Sequence, residues 1–185
     1  CDTPDPNMQV HFSWKFLPWH RGYLYFYESI LQAAVSDTQL ALPYWDWSKD
    51  FSIPSRYWGS GNPLYDVNRV ATPSSKVDPN RTKISSLLAL PVFSSFGGTP
   101  SASGQVETGP HNYIHNFIGG DMGSFTTAGL DPIFFSGHHS MIDRVWWLWN
   151  QDPSHRNPTD PAWLDLVFSF YTATGAPCQI AVRDI

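Results

Sequence analysis

The chain has 185 residues, enough for one domain with a real core, and 42% of them are apolar, which excludes a disordered chain. Its formal charge of -5 comes without any Lys/Arg cluster, so nucleic acid is not an expected partner, and no apolar run approaches a membrane span. Nine tryptophans predict a rigid interior with aromatic walls, while 16 prolines and 13 glycines predict long irregular connections between a few solid elements.

In chain order, residues 1 to 13 read as coil. Residue 1 is Cys rather than Met, and no signal or targeting segment is visible, so the chain reads as a piece of something longer. Pro18 suits the first turn of a helix. The run WHRGYLYFYESILQAAV then sets His20, Tyr23, Leu24, Tyr27, Leu31 and Ala34 on one face, with Gly22 as a weak point. ALPYWDWS reads as a turn with buried aromatics, and residues 49 to 105 as loop with one short helix near Ile84 to Ala89. A second helix is expected from Pro110 to the glycine pair at 119–120. Loop follows from Asp121 to Leu130. A third helix is expected from His138 or His139 to the Asp152-Pro153 stop. A short helix is expected from Pro161 to Tyr171, and strand character in the closing CQIAVRDI. The sum is one domain over residues 1–185: an all-α helix-bundle core inside a large loop-rich shell, close to a helix-bundle metal protein.

Cys1 and Cys178 do not make a disulfide framework; they pair with each other or are both free. The triplet Asn80-Arg81-Thr82 is an N-glycosylation acceptor and points to a secreted protein.

Six of the seven histidines fall into two clusters, His11/His20 and His111/His115/His138/His139, while His155 stands apart in a polar turn. His111 and His115, four apart on a helix, face one point. Pro18 starts a helix between His11 and His20, so His11 can fold back toward His20 from the preceding coil. His139 stands four before Asp143, whose carboxylate could orient it or its surroundings. An isolated pair of this kind is more often a hydrogen-bonded core pair than a metal site. The count shifts the balance. No H-E-x-x-H, Cys cluster or two-His-one-carboxylate spacing is present, and an all-histidine set among aromatics favours copper, as a pair.

At these residues the chain resembles a known family. HFSWKFLPWHRGYLYFYE is similar to the first copper segment of the tyrosinase, catechol oxidase and molluscan haemocyanin family; ETGPHNYIHNFIGGDM with DPIFFSGHHSMIDRVWWLW is similar to the second. FSSFGG and MIDRVWW are most like fungal polyphenol oxidases. The resemblance implies two copper ions in a type-3 pair, O2 as co-substrate and a small phenolic substrate. It implies that His11 and His20 hold the first copper and that His111, His115 and His139 hold the second. His139 is preferred to His138 because the family ligand precedes the aspartate by four, which makes His138 a neighbour. Glu107 matches the carboxylate that holds a water near the metals, Asn112 the partner of that water, and Phe125 the bulky gate above the first copper.

Two departures stand out. The family's first copper has a third histidine upstream of His11, and Cys1 stands where a thioether-linked cysteine follows that ligand, so the domain is expected to be incomplete at its N-terminus, and also after Ile185. Second, DPIFFSGHH carries one residue more before the paired histidines than the family pattern. The implied activity is oxidation of o-diphenols to o-quinones, with monophenol hydroxylation as a further one. The alternatives are a haemocyanin-like O2 carrier and an inactive fragment holding only the second copper. Oligomeric state is open.

Overall fold

The computed structural model describes residues 9–185; expectations for Cys1 lie outside the described residues. The first long helix, α1, spans Phe16–Val35, with Pro18 inside its first turn. It ends where Ser36 turns left-handed and Asp37 N–H closes back on Gln32 O at 3.0 Å. Its N-terminal half is the buried half, from Phe16 to Leu24; Leu31 and Ala34 of the expected apolar face are half-buried and exposed.

From residue 37 to 83 the chain is irregular, as its prolines and glycines require, yet it carries core residues: Trp45, Trp47 and Tyr57 are almost fully buried. Helices α2 (Ile84–Leu88) and α3 (Phe93–Phe96) follow, then a two-residue ladder of β1 (Gly98–Thr99) and β2 (Ala102–Ser103). The helix α4, Asn112–Ile118, is preceded by a π turn over Glu107–His111 and closed by Gly119 at φ 67°. The helix α5, Ser140–Trp149, is preceded by a second π turn over Phe134–His139.

The expected helix from Pro161 to Tyr171 is corrected. Only α6, Pro161–Leu164, is helical; it is capped by Asp160, whose carboxylate accepts from Ala162 N–H at 2.8 Å. Residues Val167–Tyr171 form β3, which pairs antiparallel with β4, Pro177–Ala181, so that Phe170 faces Cys178. Burial alternates along β3, with Phe168 and Phe170 inward, and a period of two beats helical propensity there. The strand expected near the C-terminus is β4.

Contacts on two sides lock α1 in place. Arg21 pairs with Asp143 of α5 at 2.6 Å and lies over the Trp146 ring at 3.8 Å. On its other side Trp19 and Phe26 meet Phe170 of β3. Gly22, a weak point for helix propensity, has a packing reason: a Cβ there would lie 2.8 Å from the Phe170 ring. The irregular shell is pinned by a buried ion pair, Arg69–Asp131 at 2.5 Å, and the same guanidinium donates to the carbonyls of Tyr57 and Leu64. Among the described residues no helix is long and apolar enough to cross a membrane.

Candidate metal centre

Three stretches of chain bring six imidazoles together. His20 comes from the buried half of α1, and His11 folds back from the coil before it, ring centroids 5.1 Å apart. His111 ends the first π turn and His115 sits one turn on in α4, centroids 4.5 Å apart. His138 and His139 end the second π turn at the head of α5. His20 stacks on His139 at 4.4 Å, and His11 lies 5.8 Å from His111, so the two sequence clusters form one centre. One ring nitrogen from each of His111, His115, His138 and His139 lies within 4.8 Å of the others.

Second partners fix the tautomers. A carbonyl oxygen only accepts, so the ring nitrogen facing it must carry the proton. His20 Nδ1 donates to Phe16 O at 2.7 Å, and His115 Nδ1 donates to Met122 O at 2.6 Å. His111 Nδ1 donates to Asn112 Oδ1 at 2.8 Å. Each of these rings thereby presents a bare Nε2 to the centre, the arrangement in which imidazole binds a metal. His20 Nε2 and His111 Nε2 are buried with no partner. His115 Nε2 and His139 Nε2 stand 3.1 Å apart, close to the edge of a tetrahedron with metal–nitrogen bonds of about 2 Å.

A metal-free cluster of this kind is costly to charge. Burial, with repulsion among neighbouring imidazoles, holds His20, His111, His138 and His139 well below the ordinary histidine range. Burial lowers His11 and His115 to about 4. Neutral rings with inward lone pairs, buried and short of donors, fit a divalent or monovalent late transition metal bound by nitrogen alone.

The other expected residues fall around this centre. Asn112 acts on His111 as described. Glu107 is buried, and its Oε1 accepts from Phe12 N–H at 2.8 Å while Oε2 makes no well-formed hydrogen bond; burial raises its carboxyl above the usual range, and Phe12 N–H and the nearby Ser103 hydroxyl oppose that rise. That bond ties the turn that carries His111 to the coil that carries His11, and Phe12 there adopts a left-handed φ of 62°. Phe125 packs edge-on to His11 at 5.1 Å and stands at the mouth of a cavity of about 190 Å³. His11, His20, His111, Asn112 and His115 also line that cavity. A dry cavity of about 150 Å³ already accepts a benzene ring.

One expectation changes. Asp143 was expected to orient His139 or its surroundings, but its carboxylate is taken by Arg21. His155 stands apart from the centre, after a turn in a polar stretch as read, but its ring is buried, stacked on Trp149 at 4.3 Å, and donates from Nδ1 to Trp149 O at 2.8 Å. His138, read as a neighbour, lies fully buried inside the cluster.

Comparison with known proteins gives one consistent result. The family described as "Common central domain of tyrosinase" matches residues 2–86 and 54–152. A latent chloroplastic polyphenol oxidase of Prunus armeniaca is 36% identical over 97% of this chain and 37% of its own length. Catechol oxidase B of Solanum tuberosum, also chloroplastic, is 35% identical over 96% of this chain and 37% of its own. The crystal structure of Grenache (Vitis vinifera) polyphenol oxidase superimposes with a TM-score of 0.86 at 34% identity, covering 96% of this chain and 63% of that one. An active aurone synthase, a polyphenol oxidase with a copper B, gives a TM-score of 0.85 at 32% identity, covering 98% and 65%. The chain therefore spans little more than a third of the length of these sequence relatives. The resemblance in FSSFGG and MIDRVWW pointed toward fungal members, whereas the relatives with a named source here are plant proteins.

Proposed function

This chain belongs to the tyrosinase family, and from that premise we propose that it forms the dicopper core of a polyphenol oxidase that takes o-diphenols to o-quinones with O2. The observation that carries the reading is the convergence of imidazoles whose Nδ1 atoms are tied to oxygen acceptors, leaving Nε2 bare, and whose rings lie against one another. His11 and His20 hold the first copper; His111, His115 and His139 hold the second. When bound, the copper pair supplies the O2 chemistry and the redox change.

The protein does the rest. Phe16 O, Asn112 Oδ1 and Met122 O hold three rings in their ligand tautomers before any metal arrives. The apolar mouth beside Phe125 seats a flat phenolic ring and narrows its approach over His11. Each o-diphenol gives up two electrons and two protons. Glu107, tied to the Phe12 backbone between the segments that carry His11 and His111, keeps Oε2 without a well-formed hydrogen bond, and with Asn112 it would hold the water that receives a phenolic proton. That base matters most for hydroxylation of monophenols, which must first lose their proton.

The test is O2 uptake and quinone formation by the copper-loaded protein on a simple catechol. Turnover supports the reading; silence with both coppers bound overturns it. Phe125→Ala is expected to raise kcat/KM several-fold for bulky catechols and little for catechol itself, a loss of gating rather than of chemistry. The O2-carrier alternative is not favoured, because the relatives are named as oxidases. As for location, Asn80 is exposed, as a glycan acceptor must be, whereas the relatives are named chloroplastic. We propose secretion on the strength of the acceptor triplet, and a glycan on Asn80 in the native protein is the deciding finding.

A further inference from the structure

We propose that His138 is a fourth imidazole ligand of the second copper, brought into the site by the π turn over Phe134–His139. The inference rests on the copper reading above and assigns that metal the donor set His111, His115, His138 and His139.

The local backbone is built for this. A π turn closes its hydrogen bonds over one residue more than an α turn, and the one over Phe134–His139 ends in the paired histidines at the head of α5. The carbonyls it displaces are taken up from outside. Phe135 O accepts from Ser140 Oγ, Ser136 O from the Tyr57 hydroxyl, and Gly137 O from Trp45 N–H at 3.1 Å. Gly137 is needed where it stands, because a Cβ there would lie 2.7 Å from Ile133 and 3.2 Å from the Tyr57 hydroxyl. The turn is therefore a supported feature of the fold and not a frayed helix start.

Its consequence is that two successive histidines both face the centre. His138 is completely buried; one side of its ring approaches the His111 backbone, and neither ring nitrogen makes a well-formed hydrogen bond. Its ring lies 4.7 Å from His115 and 5.4 Å from His111, centroid to centroid. A purely structural histidine in that place would need donors or acceptors on both nitrogens. The indole N–H of Trp47, whose ring is 6.5 Å away, bonds neither, so the His111 backbone serves at most one. A metal shared with His111, His115 and His139 gives the other nitrogen its partner, and one ring nitrogen of His138 already lies within 4.8 Å of theirs.

The experiment is a Cu(I) titration, without O2, of chain labelled with 15N in histidine, following each imidazole nitrogen by NMR with assignments carried through the backbone. The expected result is that a ring nitrogen of His138 moves to a metal-bound shift in step with those of His111, His115 and His139. In a second measurement, His138→Gln is expected to weaken one of the two Cu(I) affinities at least tenfold in a chelator competition, while the other is unchanged. If His111, His115 and His139 move and His138 keeps its metal-free shift, the proposal is overturned and the copper reading survives. If no histidine moves, both fail. The wild-type titration decides even if the variant does not fold.

Discussion

At the scale of single residues, the informative groups are those that leave an imidazole only one way to act. Asn112 is such a group: its carbonyl oxygen takes the Nδ1 proton of His111 and leaves Nε2 bare. Asn112→Ala is expected to weaken copper binding by about 10–100-fold, the usual effect of losing a partner behind a metal-bound histidine. Asn112→Asp, which keeps the acceptor, should restore most of it, and chelator competition measures both. The same burial makes the metal-free protein acid-sensitive. In the unfolded chain a histidine takes up a proton near pH 6.5, whereas folded His11 and His115 do so only near 4. Between those values the unfolded chain binds more protons, so stability is complete above about pH 6.5 and falls as pH drops toward 4. The urea midpoint of the metal-free protein should therefore be lower at pH 5 than at pH 7.5; equal midpoints would contradict the burial of uncharged rings.

At the scale of elements, α1, α4 and α5 were legible because each carries a strong local signal: a periodic apolar face, a histidine pair four apart, a run of tryptophans. The π turns before α4 and α5 were not; the second leans on Tyr57 and Trp45, which are far away along the chain. The β3–β4 hairpin left a signal that helical expectation overrode, namely the alternation of Phe168 and Phe170 with Val167, Ser169 and Tyr171. Nor could spacing foresee that Asp131 would meet Arg69, 62 positions away, in a pair with side chains almost wholly enclosed. That pair holds the irregular shell to the start of the second π turn. Asp131→Ala is expected to cost about 3–5 kcal/mol of stability, because it leaves a buried guanidinium uncompensated. A shift in the urea or thermal midpoint reads this directly, and an unchanged midpoint would mean the shell is held elsewhere.

For the whole molecule, the centre is a property of the tertiary fold: its imidazoles come from three segments between His11 and His139, and only folding puts His20 on His139. The sequence carried the ligand candidates and the metal's identity, because histidine count and spacing survive without coordinates. It could not show which nitrogen each ring presents, that Glu107 grips the Phe12 backbone, or that His138 as well as His139 brings a ring nitrogen within 4.8 Å of those of His111 and His115. Those depend on packing across the chain. The central claim is a two-copper site built by both histidine clusters. Its most direct test is the number of coppers held by the reconstituted chain, measured for the native sequence, for His20→Ala and for the double variant His111→Ala with His115→Ala. The account predicts about two coppers for the native chain, the stoichiometry of a two-metal site, and the loss of one in each variant. A native chain that saturates at one copper, or a His20→Ala chain that still holds two, would contradict it.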